Sequence, residues 1–127
     1  MDSAILKFNA KAEYYTDELC YINELSNRPS DPDVSIAHAR VQAGITTRWH
    51  RLHGVTERYV ILEGQGLVEI GGCPAHEVKT GDVVLIPPLC PQRITNTGID
   101  DLIFLAICSP RFEQNAYEDI EDEMNAN

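Results

Sequence analysis

From Val34 to Cys108, short apolar runs rich in β-branched residues alternate with turn residues at close, regular spacing, and this predicts the strands of an all-β sandwich or barrel. The runs are VSIAHARV, ERYVIL, GLVEI, DVVLI, QRIT and LIFLAIC. Between them stand EGQG at Glu63 to Gly66, the pair Gly71 and Gly72, KTGD at Lys79 to Asp82, IPPLCP at Ile86 to Pro91, and NTGIDD at Asn96 to Asp101. Before this region, YYTDELCYINELSNRPSDPD mixes the pattern of a short helix with a Pro, Ser and Asp loop. After it, FEQNAYEDIEDEM has the composition of one or two acidic helical turns, or of a solvated end. The chain thus reads as an N-terminal arm (1–33), a barrel (34–110) and an acidic C-terminal tail (111–127).

Side chains alternate between faces along a strand, so Glu57, Tyr59 and Ile61 share one face of ERYVIL. A glutamate on an apolar face needs a cation, a hydrogen-bond donor or a metal. Tyr59, on that same face, could hydrogen-bond a ligand. In QRITN, Gln92, Ile94 and Asn96 share a face, which sets another polar group among apolar ones. The histidines of WHRLHG behave differently. In a regular strand His50 and His53 point to opposite faces and Leu52 shares the face of His50, so both imidazoles reach one ion only if the chain bulges near Gly54. For His53, an exposed loop position and a ligand position both stand.

Composition narrows the partners. The 127 residues suit one compact domain, and 20 acidic against 10 basic residues give a net charge of -10, which disfavours nucleic acid. From Arg111 onward six acids face that one arginine, so about half of the excess charge lies in the tail. No apolar run approaches the roughly 20 residues of a membrane span, and the first residues lack the apolar core of a secretion signal. No membrane partner and a cytoplasmic location are therefore expected. The four cysteines form no CxxC pair, so reduced, mostly buried thiols are expected.

The order of these residues resembles the cupin superfamily. Its first motif is matched by Gly44, ITTRW, His50, then Glu57, RYVILE and Gly64. Its second is matched by Gly81, DVVLI, Pro87, Pro88, then Leu89 in place of a glycine, Gln92 in place of a histidine, and Asn96. The resemblance spans about Val34 to Cys108 and implies a double-stranded β-helix, the jelly-roll barrel. It also implies a divalent metal inside the barrel, with His50 and Glu57 in retained ligand positions. The second histidine position falls on Leu52 or, at the alternative spacing, on His53.

A set of His50, His53, Glu57 and Gln92 offers two nitrogens and two oxygens, suited to Mn, Fe, Ni or Zn. The resemblance permits metal-dependent dioxygenase, isomerase or lyase chemistry on a small organic molecule, with the metal polarising a substrate oxygen. If Leu52 faces inward instead, a metal-free barrel that binds a small ligand without turnover becomes the reading, or catalysis with Glu57 as general base. Arg48 or Arg51 at the barrel mouth could clamp a substrate carboxylate, whereas Arg58 and Arg93 alternate away from Glu57 and Gln92. The resemblance further implies a homodimer, with the arm before Val34 as the element that finds a partner surface.

Overall fold

The computed structural model describes residues 1–126. Eleven strands form two antiparallel sheets. The larger contains β1 (Tyr14–Tyr15), β2 (Tyr21–Ser26), β3 (Ser35–Val41), β10 (Leu102–Ser109), β5 (Thr56–Glu63) and β8 (Val83–Ile86), neighbours in that order. The smaller contains β11 (Tyr117–Asp119), β4 (His50–Leu52), β9 (Gln92–Asn96), β6 (Gln65–Ile70) and β7 (His76–Lys79). Consecutive strands such as β5 and β6, or β8 and β9, lie in opposite sheets, so the chain passes from one layer to the other as it winds. This is the double-stranded β-helix that the motif spacing implies.

The crossing from β5 to β6 depends on one residue. Gly64 has φ +86, and a Cβ there would lie 2.9 Å from the carbonyl oxygen of Asp101 and 3.2 Å from the Cα of Leu102. Only glycine combines that backbone angle with so close an approach.

Alternation places the core between the layers. Glu57, Tyr59 and Ile61 of β5 are buried, as are Gln92, Ile94 and Asn96 of β9 and every second residue of β10 from Leu102 to Cys108. Val41, Ile61, Ile86, Ile94, Leu102 and Phe104 make the centre of the main cluster. A smaller cluster of Leu52, Val55 and Cys108 packs against Phe112, Ala116 and Tyr117 near the end of the barrel.

The two flanking segments differ from their sequence pattern. The stretch read as a short helix and loop contributes β1 and β2, and β2 pairs with β3 through Tyr21↔Arg40, Ile22↔Ala39, Asn23↔His38 and Glu24↔Ala37. An open edge of β3 satisfies the backbone of this segment, and that tertiary pairing outweighs a weak local helical preference. In the tail, Tyr117–Asp119 forms β11 against β4, between a 3-10 turn at Gln114–Ala116 and the short α-helix Glu121–Asn125. Ile120 is buried and its N–H donates to the Trp49 carbonyl, so this part of the acidic tail is tied to the barrel. Among the described residues no helix is long and apolar enough to cross a membrane.

Candidate functional site

Strand pairing assembles the polar interior. In the smaller sheet, His50 of β4 lies directly opposite Gln92 of β9. In the larger sheet, Glu57 of β5 lies between Cys108 of β10 and Ile86 of β8. Each side chain points inward because it occupies the core phase of its strand, and the sandwich brings the two sets together.

Glu57 is 8% exposed, and its Oε1 is buried without a hydrogen-bond partner. Its Oε2 accepts from the Cys108 thiol at 3.7 Å. Burial pushes its pKa up to about 7, the imidazole of His50 pulling the other way and the carboxylate of Glu18 adding to the rise. The same desolvation, with Glu57 next in effect, drives the Cys108 thiol far above its ordinary range, so Cys108 is a weak donor and not a nucleophile.

His50, 4% exposed, is held from three sides. Its Nδ1 is 2.9 Å from the carbonyl oxygen of Arg48. A carbonyl oxygen only accepts, so Nδ1 carries hydrogen and Nε2 is the nitrogen left for other work. Tyr117 stacks on the ring at 5.1 Å, and Glu18 Oε2 stands 3.4 Å from Nδ1. Gln92 is fixed by the hydroxyl of Tyr59, which donates to its Oε1 and leaves its amide NH2 as the free end. Tyr59 is itself buried against Phe104, so it acts behind the site by orienting Gln92.

His53 lies apart from these residues. It follows the end of β4 on a bend, its side chain is 53% exposed, and its Nε2 sits 2.7 Å from Glu118 Oε1, which also accepts from Arg51. Leu52, not His53, faces inward beside His50. The arginines are likewise engaged outside: Arg48 with Asp119, Arg51 with Glu118, Arg93 with Glu69 and over the Trp49 ring, and Arg58 with Ser109. The carboxylate clamp considered for Arg48 or Arg51 therefore finds both guanidinium groups already held by acids of the tail.

This donor set does not fit a resident divalent metal. An apolar leucine occupies the place of the second imidazole, the Gln92 oxygen is taken by Tyr59, and His53 is bonded on the outer surface. Among the described residues, no group of three or more His, Cys, Asp or Glu side chains is arranged to hold an ion.

A pocket of about 470 Å³ opens over Glu57. Its walls come from segments that sequence reasoning assigned to the arm and tail: Tyr14 to Glu18 on one side and Tyr117 and Asp119 on the other, with Ala106 and Cys108 of β10 between. Glu18 and Tyr117 are functional candidates that the sequence reading missed. Their neighbours in the chain carry no motif, and only the pairing of β11 with β4 brings Tyr117 onto His50.

Residues 37–108 match the family model described as the cupin domain. An uncharacterised protein of Methanocaldococcus jannaschii is 37% identical over 87 residues, which is 68% of this chain and 69% of that protein. Among solved structures, a predicted oxalate decarboxylase of Thermotoga maritima is 27% identical with a TM-score of 0.66, covering 72% of this chain and 80% of that one. Pac13, a nucleoside dehydratase of Streptomyces, is 13% identical with a TM-score of 0.76, covering 93% of this chain and 92% of that one.

Proposed function

This chain belongs to the cupin family, and from that premise we propose that its barrel binds a small organic molecule in the pocket over Glu57 and that Glu57 moves a proton to or from it. The observation that carries this reading is the buried, unpartnered Oε1 of Glu57 in the wall of that pocket. A buried oxygen without a donor is costly, and a bound molecule that donates to it removes the cost.

The surroundings suit proton transfer. A carboxyl raised to about 7 is part acid and part base near neutral pH, which is where acid–base exchange works best. His50, locked by Arg48 and Tyr117, tunes that carboxyl by its charge. The free amide end of Gln92 supports the ionised form, which Tyr59 secures by holding the other end of the amide. A dehydratase and a predicted decarboxylase share this barrel, so the reaction is set by the site and not by the fold.

The divalent metal implied by the family is the competing form of the same site. The test combines metal content of tag-free protein, after incubation with Mn, Fe, Ni and Zn, with a small-molecule screen by amide NMR. The proposal expects no near-stoichiometric metal. It also expects compounds that shift the amides of Glu57, Ala106 and Cys108, with affinity falling about tenfold or more in Glu57→Gln. Near-stoichiometric metal lost in both His50→Ala and Glu57→Gln would overturn it, as would compounds that bind the Glu57→Gln protein equally well.

A further inference from the structure

The charge of the pocket is uneven in a way that names its ligand. Asp17, Glu18, Glu24, Glu57 and Asp119 all line it, and among the described residues no lysine or arginine does. Elsewhere, the arginines are taken up by acids outside the pocket: Arg40 by Glu13 and Asp101, Arg93 by Glu69, Arg111 by Glu113, Arg51 by Glu118. Inside it, Asp119 alone has an arginine, Arg48, and Glu18 has only the imidazole of His50. Asp17, Glu24 and Glu57 make no ion pair among the described residues. The pocket thus gathers five carboxylates with, among the described residues, no cationic side chain in its lining.

A cluster of acids on a surface is ordinarily just solvated. Here one member is buried at the base, 8% exposed, with an oxygen that lacks any donor. Ionised carboxylates only accept, so the group that completes them in that form is a donor, and the donor that also relieves their mutual repulsion is a cation. The rest of the lining agrees. Tyr14, Tyr15, Tyr117 and Phe112 offer aromatic surface, and Ile22 and Ala106 offer aliphatic surface. Aromatic faces attract cations and apolar frames alike. Tyr14 and Tyr117 respond to the same field: burial raises both phenols first, and Glu18 adds to the rise in each.

We infer that the pocket selects a small organic cation, an ammonium or guanidinium group on an apolar or aromatic frame, with Glu57 and Glu18 receiving the charged end. This rests on the reading that the pocket over Glu57 is the ligand site, and it narrows that reading to one chemical class. Anionic substrates, phosphates and carboxylates among them, are excluded by the same walls. The whole-chain charge of -10 would help to draw a cation in.

Three probes of similar shape test it on the full chain at low ionic strength and neutral pH: 2-phenylethylammonium, 2-phenylethanol and 3-phenylpropionate. Binding is followed by calorimetry, and its place by amide shifts of Thr16 to Glu18 and Ala106 to Cys108. The ammonium is expected to bind about tenfold or more tightly than the alcohol, with the carboxylate weakest. Glu18→Gln should cut ammonium binding by about tenfold and leave the alcohol within about twofold. Asp17→Asn, at an exposed position whose side chain makes no hydrogen bond or ion pair among the described residues, gives the same contrast in weaker form should Glu18→Gln misfold.

An alcohol or carboxylate that binds in the pocket as tightly as the ammonium would overturn the cation class while leaving the pocket itself as the ligand site. Displacement of the ammonium by stoichiometric Mn or Mg would also overturn it, because the acids would then form an inorganic site. Absence of ammonium binding up to about 10 mM would overturn it too. The Glu57→Gln screen decides the broader reading independently.

Discussion

Two histidine–glutamate pairings flank the same three-residue strand, and their chemistry is opposite. Inside the barrel, His50 stands near Glu57, whose carboxyl is pushed up to about 7 by burial. Outside, His53 meets Glu118, whose carboxyl is held below its ordinary range first by the Arg51 hydrogen bond and then by that of His53. The residue types are the same, so type does not set the proton state. Surroundings do: the hydrogen bonds of Arg51 and His53 stabilise the charge of Glu118, and the strand face that removes Glu57 from water destabilises its charge. What decides which histidine goes where is the residue between them, because Leu52 takes the inward phase and sends the chain past it to the surface.

The largest effect should follow from removing that residue. Leu52 is 3% exposed and packs with Val55 and Cys108 under Phe112 and Tyr117. Leu52→Ala is expected to cost about 3 kcal/mol in urea unfolding, the transfer term plus the cavity left behind. The same loss should loosen Tyr117, and with it the stacked ring of His50. A cost under about 1 kcal/mol would mean that the end of the barrel collapses freely around position 52, and that the inner pairing is not held by this packing.

Next in size is the pH dependence of Glu57. Its folded pKa of about 7 lies above the ordinary value of 4.5, so the folded state binds this proton more tightly than the unfolded chain does. The contribution is therefore fully present below pH 4.5 and is lost as pH rises through 7, with the unfolded state holding fewer protons across that window. The loss amounts to roughly 3 kcal/mol at most, one shift unit being about 1.4 kcal/mol. Glu57→Gln has no such proton, so the variant should gain on the parent as pH rises from 5 to 8 and then run parallel to it. Denaturation midpoints of the two proteins across that range measure it. Parallel curves throughout would show a Glu57 that ionises at its ordinary pKa.

Much of this was legible in the chain and some was not, for physical reasons. The barrel was legible because strand alternation and turn residues are local: ERYVIL and QRIT place Glu57 and Gln92 inward without any knowledge of their partners. The presence of Gly64 was equally local, since its backbone angle admits little else. His53 was not legible, because one residue of bulge exchanges the faces of Leu52 and His53 and the sequence WHRLHG permits either. The pocket walls were the least legible. Tyr14 and Tyr15 take their place from β2, which is itself laid on β3, and Tyr117 to Asp119 take theirs from β4, far away in the chain; a carboxylate such as Glu18 has no signature apart from that placement.

The smallest effect is the sharpest test of the comparison. His53→Ala removes one of two partners of Glu118, and Arg51 Nε remains at 2.7 Å. An exposed pair of this kind contributes little because water and salt screen it. The unfolding midpoint should stay within error, the Glu57 titration followed by carboxyl NMR should not move, and the amides of Ala106 and Cys108 should keep their positions. A displaced Glu57 titration would break the division between inner and outer pairings. It would mean that the imidazole of His53 reaches the barrel in solution, as the ligand set of His50, His53, Glu57 and Gln92 requires. An unmoved titration, set beside a clear shift in His50→Ala, leaves the interior with one imidazole. In that case the chemistry of this cupin barrel is that of a single histidine acting on a single buried carboxyl.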